Sequence, residues 1–327
     1  CSHGNAGVLC SWSFDPASKP GMWKDLPRWL MDPLGPIALQ PGHLLRMIPW
    51  IRQFFGAARP ALQADSANAL FTLNNPSVEM YRQLLRGSGH ESLVRDANYV
   101  FVTRNANRID PGQLAWRRRR EHGANIEMLT GDEVREMEPA LSSEYVKAMV
   151  VTGQGRVTNP GRLVKVLGEL VLADGGTFIR GDVTGFPGEG TPTAVTTTAG
   201  DIEADRVIVT AGAWSHQLVK SFGVNVPLQG ERGYHMEFAN PGVELNHSVN
   251  DYDRAFVASS MEGGVRCAGT SEFAGLEAAP NWRRAEMLQA LGKSMLPTLN
   301  VAEGTPWMGR RPAVPDSVPV IGPVPSR

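Results

Sequence analysis

The sequence predicts a mixed fold: an α/β part with the grammar of a doubly wound sheet, joined to an α+β part built on a mainly antiparallel sheet. Two stretches carry that expectation. Between Pro160 and Leu218 an amphipathic helix and a hairpin lead into Arg206-Val-Ile-Val-Thr-Ala-Gly-Ala-Trp, a continuous β-branched run entering small residues and a new helix. Strand, glycine turn and helix in that order belong to a buried parallel sheet. Beyond Pro227 the pattern changes to short strands with frequent turns and a single amphipathic helix, which suits an antiparallel sheet with helices on one face. With 327 residues the chain is long enough for both parts, and a protein of that size buries roughly three quarters of its unfolded surface.

From Cys1 to about Gly56, Pro16, Pro20, Pro27, Pro33, Pro36 and Pro41 leave room only for short helices. His43 to Phe55 is the best of them, with Leu44, Leu45, Ile48, Ile51, Phe54 and Phe55 at near-helical spacing beside Arg46 and Arg52. It reads either as a half-buried helix or as an interfacial helix touching a membrane or a partner. A longer helical region covers Ala61 to Leu85, interrupted near Asn74 to Pro76, where Pro76 can open a new helix. Tyr99 to Thr103 alternates as a strand. The basic run Arg117 to Arg120 lies in a helical stretch with Leu114 and Trp116 and precedes Glu121, so it is expected to be a solvated helix face rather than a nucleic-acid patch. Asp132 to Met137 forms a short helix that Glu138-Pro139 ends.

Pro160 then opens a helix whose Leu163, Val164, Val166, Leu167, Leu170 and Val171 form an apolar face, stopped by Gly175-Gly176. Thr177 to Arg180 and Thr193 to Thr198 are predicted strands, with a hairpin return through Asp201 to Asp205. In the second part the strands are Gly233 to Phe238, Arg254 to Ala258 and Gly264 to Ala268, and the helix is Trp282 to Met295. No internal repeat points to a solenoid or propeller.

Composition narrows the function classes. Apolar residues make up 42% and charged residues 20% of the chain, and 32 basic against 33 acidic side chains leave a formal charge of -1. No global field therefore favours nucleic acid or an anionic membrane. Cys1, Cys10 and Cys267 show no CxxC spacing, which argues against a disulfide framework or structural zinc and fits a reducing, cytoplasmic compartment. No apolar run approaches the ~20 residues needed to span a bilayer, and peripheral contact with the inner face of the plasma membrane stays open. The first residue is Cys1 within a Gly/Asn-rich loop, so the sequence is expected to be a fragment or a processed product.

Four motifs can carry chemistry. Ser2-His3-Gly4-Asn5-Ala6-Gly7 is a run of small and hydrogen-bonding residues whose backbone can approach a ligand and point N–H groups at an anion; an ordinary surface loop is the alternative. Ala211-Gly212-Ala213-Trp214 stands at the carboxyl end of a predicted strand, where open α/β sheets bind ligands and where small residues let a flat group lie against the backbone. Tight strand-to-helix packing explains it equally well. In Trp307 to Pro323, Pro312, Pro315 and Pro319 stiffen the path and hold Arg310 and Arg311 in fixed directions. An arginine so held suits capture of a carboxylate, and a structural ion pair with Asp316 is the competing role. Arg232-Gly233-Tyr234-His235 can place a phenol or an imidazole above a substrate. The order Ser/His/Asp, HExxH, a Walker loop and an EF-hand loop are all absent.

With these motifs in this order and spacing, together with Val157 to Leu163 and Gly264 to Thr270, the chain resembles the D-amino-acid oxidase superfamily of FAD-dependent oxidoreductases over essentially its whole length. It is most similar to the bacterial D-amino-acid dehydrogenase small-subunit group, with glycine and sarcosine oxidases as relatives. The resemblance implies a doubly wound, glutathione-reductase-like FAD-binding domain drawn from residues 1–92, 145–226 and 306–327, and a mainly antiparallel substrate domain drawn from 93–144 and 227–305. It also implies roles. Ser2, Gly4, Asn5, Ala6 and Gly7 would lie near the flavin ring and pyrophosphate, Val183 would meet the adenine end through its backbone, and Ala211, Gly212 and Trp214 would approach the cofactor from the sheet. Arg311 would hold the substrate carboxylate, with Tyr234 and His235 on the substrate side.

The activity so implied is oxidative deamination of a small amino acid, a D-amino acid first, with hydride passing from Cα to flavin N5 and water hydrolysing the imino acid. Oxygen, a quinone or another protein remains open as the electron acceptor. Oxidation of an N-methyl or cyclic amino acid such as sarcosine or proline, or of glycine, is the alternative within the same chemistry. A non-catalytic subunit that binds a partner through Trp12 to Phe55 is the alternative outside it. The family opens with a strand, a GxGxxG turn and a helix and ends with a Gly-rich segment and a helix, neither of which is found here. The FAD-binding domain is therefore expected to be incomplete and to bind FAD poorly on its own.

Overall fold

The structure, a computed structural model, describes residues 2–24, 26–32, 35–187 and 192–324. Prolines and glycines set most helix boundaries. After β1 (Val8–Leu9), α1 (Leu26–Met31) and β2 (Ile37–Leu39) come α2 (Pro41–Ala57), α3 (Pro60–Asn74) and α4 (Ser77–Leu85). Pro41 and Pro60 occupy the first helical position, where the missing N–H has no intrahelical partner to lose, and Pro76 stands at the cap of α4. The interruption predicted near Asn74 to Pro76 is therefore where one helix ends and the next begins. Next come β3 (Val94–Thr103), α5 (Leu114–Glu121), β4 (Ile126–Thr130), α6 (Gly131–Met137), β5 (Lys147–Val157) and α7 (Pro160–Ala173). Thr130 and Glu133 close a reciprocal capping box on α6. Asn159 caps α7 by accepting the Arg162 N–H at 2.9 Å.

A small antiparallel sheet, β6 (Val183–Gly185), β7 (Ala194–Thr197) and β8 (Gly200–Glu203), stands apart from the rest. Past the short α8 (Ser215–Val219), the remaining elements are β9 (Gln229–Phe238), β10 (Ser248–Asp251), β11 (Phe256–Met261), β12 (Gly264–Phe273), α9 (Arg283–Met295) and β13 (Gly304–Ala313). They complete a large sheet in the order β1-β5-β3-β10-β11-β12-β9-β13, with β4 added on β5 and β2 on β12. Among the described strands of this sheet only β3 with β10 and β2 with β12 pair in parallel; its mainly antiparallel character is that expected for the strands beyond Pro227, and β1 to β5, from before Pro227, join the same sheet.

Alternation along the strands separates two apolar layers. Val100 and Val102 of β3, with Tyr234, Met236 and Phe238 of β9, pack against Leu288, Leu291 and Met295 of α9. Tyr99 and Phe101 face the other way, toward Trp116 of α5 and Ile109. A third cluster joins α4 and α7 to the sheet through Leu85, Leu93, Val157, Leu163 and Val166. Among the described residues no helix is long and apolar enough to cross a membrane.

Three local expectations are corrected. Thr177 to Arg180 is not a strand and is exposed; the strand begins at Val183. Arg206 to Thr210, expected as a buried parallel strand, pairs with no described strand, and Ile208 is 84% exposed. A buried strand requires neighbours on both edges to take its N–H and C=O groups, and β-branched composition alone does not provide them. Finally, the basic run on α5 is not wholly solvated. Arg119 is buried, donates to the Trp12 carbonyl at 2.9 Å and pairs with Asp15 at 2.7 Å, so it ties α5 to the opening segment.

One buried cation organises the loop after β12. Arg232, fully buried on β9, donates to the carbonyls of Gly275, Ala278 and Ala279 and lies 3.6 Å from Glu272. Removing a partner from such a group leaves buried acceptors and a charge unmatched. Arg232→Met is expected to lower the unfolding free energy by about 3–5 kcal/mol, measured from the midpoint of chemical denaturation.

Candidate active site

A cavity of about 2010 Å³ opens between α2, the segment 205–228 and the C-terminal end of β13, well beyond the roughly 300–1,000 Å³ of ordinary small-molecule pockets. Its walls are mostly apolar. Met47, Trp50, Ile51 and Phe54 come from α2, and Val207, Val209, Phe222 and Val224 from the segment after β8. The charged and titratable lining groups are Asp205, Arg206 and His216 from the segment after β8, and Glu231 and Arg311, which stand together with Ser271 on the wall formed by the large sheet.

Strand register brings those three together. In the antiparallel pair of β9 and β13, Glu231 lies opposite Arg311, Gly233 opposite Gly309 and His235 opposite Trp307. These odd-numbered residues share one face, while Tyr234, Met236 and Phe238 point into the core. Arg311 Nη1 donates to Glu231 Oε1 at 2.5 Å, and the same oxygen accepts Ser271 Oγ at 2.6 Å. The guanidinium lies flat over Gly233, where a Cβ would come within 2.3 Å of Nη2. A register shift in β12 between Gly269 and Glu272 leaves Thr270 at φ 59 and its carbonyl 3.5 Å from Arg311 Nη1. Bulges of this kind commonly re-aim side chains beside functional sites.

Further along the same face the sheet grips the opening loop. Arg266 pairs with Glu237 at 2.5 Å and donates to the Asn5 carbonyl at 2.8 Å and the His3 carbonyl at 3.4 Å. His235 Nδ1 is 2.8 Å from the Gly4 carbonyl, and since a carbonyl only accepts, Nδ1 carries the proton. The ring stacks on Trp307 with centroids 5.1 Å apart. Asn5 Nδ2 donates to the Ser2 carbonyl at 3.0 Å, and the Gly7 carbonyl accepts the Val157 N–H at 2.7 Å. Two glycines are sterically required: a Cβ at Gly4 would meet the Trp307 ring at 2.3 Å, and one at Gly7, with φ +70, would meet the Val157 carbonyl at 2.4 Å. The loop is thus fastened to the protein through its carbonyls.

Of the residues singled out from the sequence, Gly212 and Arg311 line the cavity. Gly212 has φ +58, and a Cβ there would meet open space. Ser2, Gly4, Asn5, Ala6 and Gly7 form the fastened loop beside Trp307 and do not line the cavity. Val183 lies in the small sheet, and Ala211 precedes the turn that carries Gly212. Trp214 stacks under the Arg310 guanidinium at 5.5 Å, and Arg310 also donates to the Leu276 carbonyl at 2.6 Å. Among the described residues neither Arg310 nor Arg311 pairs with Asp316, which accepts the Val318 N–H instead.

Tyr234 and His235, expected side by side toward the substrate, occupy opposite faces. Tyr234 is buried, donates to Glu272 and accepts the Asn281 N–H at 3.0 Å, and burial raises its pKa. His235 faces the loop. Glu231 and Ser271, which the sequence reading did not select, are the residues that accompany Arg311. The available signal was Glu231's place directly before Arg232-Gly233-Tyr234-His235, two positions from Gly233 and hence on its face.

Comparison with known proteins bears on this arrangement. The family described as FAD dependent oxidoreductase matches residues 1–327. The D-amino-acid oxidase of Bradyrhizobium diazoefficiens is 38% identical over 327 residues, covering 98% of this chain and 77% of that protein. The D-amino acid dehydrogenase of Granulibacter bethesdensis is 25% identical over 333 residues, covering 98% of this chain and 79% of that protein. Among solved structures, the iminodiacetate oxidase of a Chelativorans species aligns with a TM-score of 0.66 at 21% identity, over 96% of this chain and 74% of its own. This last likeness concerns the fold.

The environment of His235 makes a pH test. Burial is the largest influence and pushes its pKa down from 6.5 to about 4. A base whose folded pKa is depressed contributes stability that is present above 6.5 and is lost as the pH falls toward 4. Roughly 3 kcal/mol of acid-side stability is at stake at this position. His235→Asn, which no longer titrates, should flatten the loss between pH 6.5 and 4 in denaturation midpoints relative to the unsubstituted chain.

Proposed function

Because this chain belongs to the family of FAD-dependent oxidoreductases, we propose that it oxidises an α-amino acid, a D-amino acid first, with Arg311 as the anchor of the substrate carboxylate. One observation carries this reading: an arginine side chain 42% exposed on the wall of a large apolar cavity, laid flat over a glycine and fixed in direction by its strand. A guanidinium in that setting binds a carboxylate through charge-assisted, directional hydrogen bonds that low-polarity walls strengthen. The names of the two relatives, a D-amino-acid oxidase and a D-amino acid dehydrogenase, support the substrate class.

The residues present suit FAD. The cavity is large enough for a dinucleotide beside a small substrate, and its glycine at 212 adds no side chain between backbone and ligand. Val207, Val209, Gly212 and Ser215 would hold the cofactor along the wall after β8. When bound, FAD supplies the acceptor of two electrons that amino-acid oxidation requires. The protein's own part is positioning. Arg311 fixes one end of the substrate, and the apolar walls from α2 exclude water from the reacting carbon.

We assign the cofactor part to residues 1–92, 145–226 and 306–327 and the substrate part to 93–144 and 227–305. In support, the cavity takes Val207 and Arg311 from the first set and Glu231 and Ser271 from the second, so the site lies where the two meet. The large sheet is continuous across that division, since β3 pairs with β5 and β9 with β13.

Arg311→Ala in the FAD-loaded enzyme is expected to weaken binding of amino-acid carboxylates by on the order of 2–5 kcal/mol, read from the Michaelis constant and from competitive inhibition by simple carboxylates. Unchanged constants would remove Arg311 from the site.

We further infer peripheral contact with a membrane through α2. That helix contains no acidic residue, carries Arg46 and Arg52, and exposes Leu44, Ile48 and 78% of Leu45, the composition of an interfacial helix. Cosedimentation with vesicles rich in phosphatidylglycerol should fall several-fold on Leu45→Gln combined with Ile48→Gln. Equal sedimentation of variant and parent would discard membrane contact through α2.

A further inference from the structure

Arg311 does not stand alone on the cavity wall. Its register partner Glu231 holds one carboxylate oxygen 2.5 Å from Nη1, and Ser271 Oγ donates to that same oxygen at 2.6 Å. The second oxygen, Oε2, has no hydrogen-bond partner among the described residues. All three side chains line the cavity. The wall therefore presents a positive and a negative group side by side, on adjacent strands, with spare capacity on each. The guanidinium keeps unused N–H donors and the carboxylate keeps a free oxygen.

An α-amino acid carries a carboxylate and an ammonium on one carbon, so a protein that reads both must offer a cation and an anion within a few ångströms of each other. Side chains directly opposite in an antiparallel pair have Cβ atoms only about 4.5–5.5 Å apart, which meets that requirement. Building on the reading that Arg311 holds the substrate carboxylate, we propose that Glu231 receives the substrate ammonium and thereby selects amino acids over carboxylic acids that lack nitrogen. Ser271 is a positioning residue that fixes which oxygen of Glu231 is occupied and which is free. The shift in β12 that places Ser271 beside Glu231 belongs to this arrangement. A carboxylic acid without the amine would satisfy Arg311 and still leave Glu231 facing an apolar group, a mismatch that costs binding.

The test uses two ligands that cannot be oxidised because they lack a Cα–H: 2-aminoisobutyrate, and 2,2-dimethylpropanoate, in which a methyl replaces the ammonium. Calorimetric titration of the FAD-loaded enzyme should show the amino acid binding at least about tenfold tighter, the gain expected of one charge-assisted hydrogen bond. Glu231→Gln keeps an acceptor for Ser271 and Arg311 and removes the charge; it should bring the ratio of the two affinities close to one with dimethylpropanoate binding little changed. Glu231→Asp should restore part of the ratio. If Glu231→Gln weakens both ligands equally, Glu231 only supports Arg311 and the proposal is overturned while the carboxylate anchor stands. If neither affinity changes, the proposal is equally overturned. If Arg311→Ala leaves dimethylpropanoate binding intact, the anchor itself fails and Glu231's role falls with it.

Discussion

The antiparallel register between β9 and β13 is the constraint on which the site depends. Pairing Glu231 with Arg311, Gly233 with Gly309 and His235 with Trp307 places every group that faces the cavity or the opening loop on one side of the sheet. The same register sends Tyr234, Met236 and Phe238 into the apolar layer against α9. A slip by one residue would exchange the two faces, burying the Glu231 carboxylate in the core and exposing the aromatic rings. Core stability and site geometry are therefore set by one pairing, and the hydrophobic layer that stabilises the sheet also specifies which residues meet the ligand.

Charge is handled differently on the two faces. In the core layer, Arg232 is buried and matched by three loop carbonyls and Glu272, so its charge serves the fold and is closed to ligands. On the cavity face, Arg311 is matched on one side only, by Glu231 and a weak contact to the Thr270 carbonyl. Neighbouring arginines on the partner strand show the same division, since Arg310 is taken up by the Leu276 carbonyl and the Trp214 ring. Three arginines lie close together in the sheet, and of these Arg311 is the one on the cavity wall.

Much of this was legible from sequence where local chemistry decides the structure. Pro76 and Pro160 each mark a helix start, and Gly175 at φ +90 marks the end of α7, because these residues constrain the backbone wherever they stand. Composition was less informative where structure depends on distant partners. The run Arg206 to Thr210 has the residues of a buried strand, but whether it becomes one is decided by neighbouring strand edges that its own sequence does not specify. Arg119 looked like part of a solvated basic face, and its burial follows from Asp15 arriving from the opening segment. Glu231 carried no local sign of function because its importance lies in the residue opposite, eighty positions later in the chain. Tyr234 and His235 are a different case: once Gly233 to Phe238 is read as a strand, adjacent residues must face opposite ways, so only one of the two could ever have faced a substrate.

The glycine between Arg232 and Tyr234 shows how closely packing and function are joined here. Arg311 crosses the strand over Gly233, and the space it uses is the space a Cβ would fill. Any side chain at 233 would lift the guanidinium off the sheet, lengthen its contact with Glu231 and turn its free donors away from the direction the strand now imposes. Gly233 does not need its conformational freedom for this purpose, since it sits within a regular strand pairing with Gly309. It is the absence of a side chain that matters, and the loss in strand propensity of a few tenths to one kcal/mol that glycine brings is offset by an arginine held flat and aimed. The cavity wall is thus shaped as much by what is missing at Gly233 as by the charges at Glu231 and Arg311.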